Sequence, residues 1–182
     1  MRTLLIKPLI LAAVASMALA ACSPKYNWRD FSSEDAPFRA MFPDKLGQPH
    51  ARHRPGLSMK VNMTMTAAQI DNTTFAVGAA EAPDAERAEA ALGAMKTALI
   101  NNIGATVTSE KAARASSAAN AAKARSAAID IEAKGKRNGV PMRLIGHFES
   151  RDKRFYQVIV MGPEKDMSKE NIDMFLSSFK LQ

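Results

Sequence analysis

The chain predicts an α+β fold, a largely antiparallel sheet of six or seven strands with a central and a C-terminal helix packed on it. Three patterns carry that expectation. Residues 57–66 alternate Leu57, Met59, Val61, Met63 and Met65 with Ser58, Lys60, Asn62, Thr64 and Thr66, the period of a strand with one buried and one wet face. Residues 83–103 switch period: Ala88, Leu92, Met95, Leu99 and Ile103 fall on one helical stripe. Residues 155–161, FYQVIVM, are apolar on both faces, as a central strand requires.

The other elements follow in order. Residues 23–36 are polar with isolated aromatics and read as a loosely structured tether, in which Trp28 and Phe31 either settle among lipid headgroups or dock on the domain. Phe38, Ala40 and Phe42 alternate as a strand that Pro43 stops, and residues 44–56, with Pro49 and Pro55, read as a loop. Asp71-Asn72 is turn-prone, and Phe75, Val77 and Ala79 form the next strand. Pro83, Asp84 and Glu86 suit the first turn of the central helix, and Gly104 suits a left-handed cap after it.

Residues 111–128 are rich in alanine, the best helix former, but carry no large side chain to anchor a helix. Val107 on one side and Ile129 and Ile131 on the other favour strand, loop, strand. Residues 135–139 form a turn, with Asn138-Gly139 a strong hairpin signal. Residues 140–149 are a strand, Asp152-Lys153 a second turn, and Gly162-Pro163 end the central strand. Ser168 caps the last helix, Met167 and Ile172 stand at staple positions, and Ile172, Phe175, Leu176 and Phe179 form its buried stripe.

Composition bounds the function. The 182 residues include 47% hydrophobic and 24% charged residues, a net charge of +7 and one cysteine. These values suit a single packed domain plus a targeting segment, and exclude collagen-like, disordered and disulfide-rich classes. Arg2 and Lys7 open a basic stretch, residues 9–19 (LILAAVASMAL) are apolar, and Leu19, Ala20, Ala21 and Cys22 follow. The apolar stretch up to Ala21, about 13 residues, is short of the roughly 20 that span a bilayer, so residues 1–21 read as a signal peptide. Leu19, Ala20, Ala21 and Cys22 resemble the bacterial lipobox, in which the cysteine thiol takes up a diacylglyceryl group and becomes the mature N-terminus. Residues 22–36 are then a lipidated tether and 37–182 the domain. By the same resemblance, Ser23 rather than Asp after the cysteine points to the outer membrane, facing the periplasm. Without Arg2 and Lys7 the 25 basic residues fall to 23 against 18 acidic, a balance of +5.

The order of elements is similar to that of PsbP-like domains, as found in bacterial lipoproteins of the DcrB/LpqN type. The matching phrases are FRAMFP at 38–43, the central helix, RFYQV at 154–158, Gly162-Pro163 and FLSSF at 175–179. Together they cover about residues 37–182. The resemblance implies an α/β/α sandwich and adaptor-like roles, and supplies no shared catalytic residues.

No nucleophile elbow, phosphate-binding loop, zinc-protease helix or EF-hand loop is present in the sequence. His50 and His53 stand three apart, but Arg52 and Arg54 beside them disfavour a metal cation. Met59, Met63 and Met65 could suggest copper, yet their strand spacing fits core packing better. His147 shares a strand face with Arg143, Ile145 and Glu149 and reads as a sheet-surface residue. No catalytic residue, cofactor or metal site is therefore expected. Two basic clusters remain as possible anion sites, Lys134, Lys136 and Arg137 at one hairpin tip and Arg151, Lys153 and Arg154 at the other. They lie about 30 Å apart along one strand. A lipidated envelope protein would meet headgroups or acidic proteins rather than nucleic acid. The expected function is a membrane-anchored, non-enzymatic binding or assembly module with an envelope protein partner. The alternatives are an envelope-stress or anionic-lipid-interacting lipoprotein, or an enzyme with an unrecognised site.

Overall fold

The computed structural model describes residues 25–44, 46, 50–53, 62–115 and 125–182. Leu19, Ala20, Ala21 and Cys22 lie outside the described residues, as do Leu57, Met59, Val61 and the middle of the Ala-rich stretch, 116–124.

The elements in chain order are β1 (Arg29–Ser32), β2 (Phe38–Phe42), β3 (His50–His53), β4 (Asn62–Ile70), β5 (Thr73–Glu81), α1 (Ala85–Asn102), β6 (Ala105–Ala112), β7 (Ser126–Arg137), β8 (Val140–Arg151), β9 (Arg154–Pro163), a 3-10 turn (Glu164–Asp166), α2 (Lys169–Ser178) and β10 (Lys180–Leu181). Seven strands form an antiparallel sheet in the order β3-β4-β5-β9-β8-β7-β6. The remaining three form a small sheet, β1-β2-β10. The fold is α+β, with β9 at the centre of the large sheet as its apolar sequence requires.

Both faces of the large sheet are covered. On the inner face α1 lays Ala88, Leu92, Met95, Leu99 and Ile103 against Ile131, Ala133, Leu144, Phe148, Phe155 and Ile159. Asp84 caps α1 by accepting from the Arg87 N–H at 2.8 Å. Gly104 follows with φ +58°, the left-handed conformation that glycine adopts without steric cost. On the outer face α2 and the small sheet cover the β4-β5-β9 half. There Phe38, Phe42, Phe75, Tyr156, Phe175 and Phe179 form an aromatic cluster with ring centroids 5.3–6.4 Å apart. Met167 and Ile172 are both buried there at the start of α2.

The fold differs from the sequence expectation at four places. First, residues 25–36 are part of the packed body, not a loose tether. Β1 pairs with β2, Trp28 meets Phe75 edge-on at 6.1 Å, and Phe31 meets Phe42 at 5.8 Å. The aromatics dock because the outer face of β5 and β2 offers apolar surface to cover. Second, the stretch read as loop 44–56 contains β3, an edge strand paired with β4 and flanked by prolines, where an absent N–H costs least. His50 and His53 lie on it.

Third, β4 runs to Ile70, and its outer face is wet only at the start, where Asn62 is exposed and Thr64 half-buried. Met63, Met65 and Ala67 pack inward, whereas Ala68 and Ile70 pack outward under the aromatic cluster. Fourth, the strand beginning at Phe38 belongs to the small sheet, while the large sheet has seven strands, within the six or seven expected. The Ala-rich region matches strand, loop, strand in its described parts, since β6 and β7 flank 116–124. Residues 135–137 extend β7, leaving Asn138 (φ +52°) and Gly139 (φ +80°) as the turn.

Candidate functional site

The outer face changes character past β9. On β8, Arg143, Ile145, His147, Glu149 and Arg151 share this face because strand side chains repeat every second residue. On β7, Asp130, Glu132 and Lys134 do the same, and Asp130 stands directly opposite His147. The C-terminal end of α2 and the start of β10 reach over this polar strip with Leu176, Ser177, Phe179 and Lys180. Between them runs a groove of about 500 Å³, also lined by Arg114, Asp130, Ile145 and His147. Ile145, Leu176 and Phe179 form its apolar wall, and exposed Arg114 and Lys180 its cationic rim.

His147 is the hub of the floor. Its Nδ1 lies 2.7 Å from Asp130 Oδ1 and its Nε2 3.2 Å from Glu149 Oε2, so the protonated ring donates to both carboxylates. Its ring lies 6.2 Å from that of Phe179. Burial alone would disfavour the charge on His147, but the bonds to Glu149 and Asp130 outweigh it, so its pKa is raised above the ordinary value of 6.5. Glu149 is fully buried, and the Arg151 guanidinium approaches its other oxygen to 3.8 Å. Tyr156, opposite Glu149 on β9, has its phenol pKa raised by burial, with Arg154 and Arg151 partly opposing. The floor is thus an alternating chain of charges, Asp130–His147–Glu149–Arg151. When protonated, His147 commits both ring nitrogens to carboxylates and has no lone pair for proton abstraction.

The sequence placed His147 on an exposed sheet surface. The structure instead leaves its side chain only 16% accessible, beneath the end of α2. Arg114 follows β6, whereas Leu176 and Lys180 belong to the C-terminal segment of α2 and β10, and no local pattern joins the two parts.

The two basic clusters separate further in space and in kind. The long strand β8 puts about 36 Å between them at roughly 3.3 Å per residue. In the cluster at the Arg151 end, Arg151 turns inward to Glu149, and Arg154 lies 3.8 Å from Glu81 and donates to the Asp35 carbonyl at 3.4 Å. Only Lys153 points outward without an ion pair among the described residues. At the other tip Lys134 pairs with Glu164 at 2.5 Å and holds that carboxyl below the usual carboxylate range. Lys136 and Arg137 stand exposed there, with no ion pair among the described residues.

Among the described residues no group of three His, Cys, Asp or Glu side chains is placed to hold a metal ion. No helix among them is long and apolar enough to cross a membrane. Compared with known proteins, the chain matches no family model and no curated relative.

Proposed function

We propose that the protein is a lipid-anchored lipoprotein of the bacterial cell envelope, held at the outer membrane and facing the periplasm. It acts there as a non-enzymatic binding or assembly module of PsbP-like type. The observation that carries the reading is Cys22, the chain's one cysteine, standing directly after Leu19, Ala20 and Ala21 at the end of an apolar run. A thiol there is the acceptor that lipid attachment needs. Two or more acyl chains at about 0.8 kcal/mol per buried methylene give stable anchoring. The sheet covered on both faces is the architecture that a PsbP-like resemblance implies, and it supports that part of the reading.

The groove beneath α2 supplies the binding surface. Its cationic rim over an apolar wall suits a partner segment that sets a carboxylate beside an apolar side chain. His147, locked between two carboxylates, favours recognition over chemistry.

Two measurements test this. Cys22→Ala abolishes incorporation of labelled fatty acid and releases intact mature protein from membranes. Retention of that mutant as a mature, unlipidated membrane protein refutes the anchor. For the module, a photo-crosslinker at Ser177 in living cells gives a discrete adduct that is absent when the crosslinker sits at Glu86 on α1. The same products from both positions refute a groove-bound partner.

A further inference from the structure

The two hairpin turns Asp71-Asn72 and Asn138-Gly139 lie at the same end of the large sheet. The register requires it: β5 begins where β9 ends, with Thr74 opposite Met161, and β8 begins there too, with Met142 opposite Pro163. The 3-10 turn Glu164–Asp166 sits between them, joined to one side by Asn72 Nδ2 donating to Asp166 at 3.4 Å and to the other by the Lys134–Glu164 pair. Lys25 reaches this same end, where its ammonium meets Asp71 at 2.5 Å.

Lys25 stands three chain steps after Cys22. Even fully extended, they span about 10 Å. A bilayer anchored through Cys22 therefore lies against this end of the sheet and not against the Asp152-Lys153 end, about 36 Å away along β8.

The chemistry of that end fits an anionic surface. Beyond the pairs Lys25–Asp71 and Lys134–Glu164, the cations Lys136, Arg137 and Lys165 stand exposed there, against Asp166 and, on the first turn of α2, Glu170 as the carboxylates without an ion pair among the described residues. Val140, opposite Arg137 across the turn, is one of two exposed large hydrophobic residues among the described residues, at 42% accessible. An apolar side chain flanked by cations at a projecting tip matches the headgroup boundary, which solvates both.

We propose that the protein docks end-on to anionic membrane lipid through the β7–β8 tip, with Lys136 and Arg137 on the headgroups and Val140 at their apolar boundary. This rests on the reading of Cys22 as the lipid anchor, and it assigns the two basic clusters opposite fates. The tip at Lys136 and Arg137 faces lipid, and the Lys153 end faces away. The long groove floor then stands above the membrane, open to a periplasmic partner.

The test uses the full-length protein isolated from membranes, with the mass at Cys22 read first, because that mass alone decides the anchor. The protein is reconstituted into vesicles of phosphatidylcholine with or without phosphatidylglycerol, and amide hydrogen exchange is followed by mass spectrometry. Peptides covering 134–142 exchange at least threefold more slowly with phosphatidylglycerol present, whereas peptides covering 150–155 do not change. The double variant Lys136→Gln, Arg137→Gln loses the difference while its acyl mass stays the same. Equal exchange with both lipids, or protection at 150–155, overturns the proposal.

Should Cys22 carry no acyl chain, the anchor fails and the surface is still read directly. At low salt the unanchored protein then binds phosphatidylglycerol vesicles about thirtyfold more weakly in the double variant, from roughly fivefold per cation. An unchanged affinity overturns the proposal.

Discussion

The two faces of the large sheet are finished in different ways. Against α1 the inner face is mainly apolar from β4 to β7, with Gln157 and Ser150 buried among it, and Leu92, Leu144 and Phe148 are each no more than 1% accessible. The outer face begins in the same style, with aromatic rings over β4, β5 and β9. Past β9 it turns into a chain of charges that is nonetheless largely covered. An apolar face needs only volume and pattern to be stable. A covered charged strip needs each charge answered, and removing one member costs more than removing an equal volume of hydrocarbon. The inner face is therefore scaffold, and the charged half of the outer face is where a groove with chemical preference is maintained.

The largest effect should come from the charged half. Glu149→Ala leaves His147 and Arg151 covered with their shared carboxylate gone, and is expected to destabilise the fold by about 3–5 kcal/mol. Urea unfolding at pH 6 measures it. A loss below about 1 kcal/mol would mean that water already solvates the strip, which would erase the contrast between the faces. On the apolar face Leu92→Ala is expected to cost about 2–5 kcal/mol through lost transfer energy and a residual cavity. That loss should be the same at pH 6 and pH 8.5, because the residues of the apolar cluster carry no titrating group.

The charged half should respond to pH where the apolar half does not. His147 is held protonated, with a folded pKa above the ordinary 6.5. Its contribution is fully present below that ordinary value and fades as pH rises through the folded pKa. His147→Gln is expected to lose about 1.5–3 kcal/mol at pH 6, the range for hydrogen bonds to charged groups. The gap between wild type and variant should narrow steadily toward pH 8.5, read from urea midpoints at matched ionic strength. A constant gap across that interval would show that the ring contributes packing alone.

The sequence spoke clearly wherever periodicity is the physical cause of structure. The stripe from Ala88 to Ile103 and the apolar run of β9 each state a burial pattern that packing then obeys. Asn138-Gly139 and Gly104 state backbone angles that few other residues adopt. The strands β1, β3 and β10 were missed because four, four and two residues are too few to show a period. The groove was missed for a different reason. Asp130, His147 and Glu149 alternate with Ile129, Ile131 and Phe148 as any strand with a solvated face does. What covers that face is the end of α2, about thirty residues further on, and alternation carries no information about it.

The smallest expected difference lies between the helices that cover the two faces. On the inner side Asp84 accepts from the Arg87 N–H at 2.8 Å, and its charge also meets the positive end of the α1 dipole. On the outer side Ser168 accepts from the Asn171 N–H at 3.4 Å, long for a hydrogen bond, and brings no charge. Asp84→Ala should therefore cost about 1 kcal/mol and Ser168→Ala about 0.5 kcal/mol. For a protein of this size these correspond to roughly 3 °C and 1–2 °C in Tm. The reverse order would mean that α2, only ten residues long, depends on its cap more than on Ile172 and Phe175. A helix that short is marginal by itself, so its stability has to come from the aromatic cluster beneath it. Ser168→Ala combined with Phe175→Ala should then lose little more than Phe175→Ala alone, since a helix already loosened from the sheet gains little from its cap.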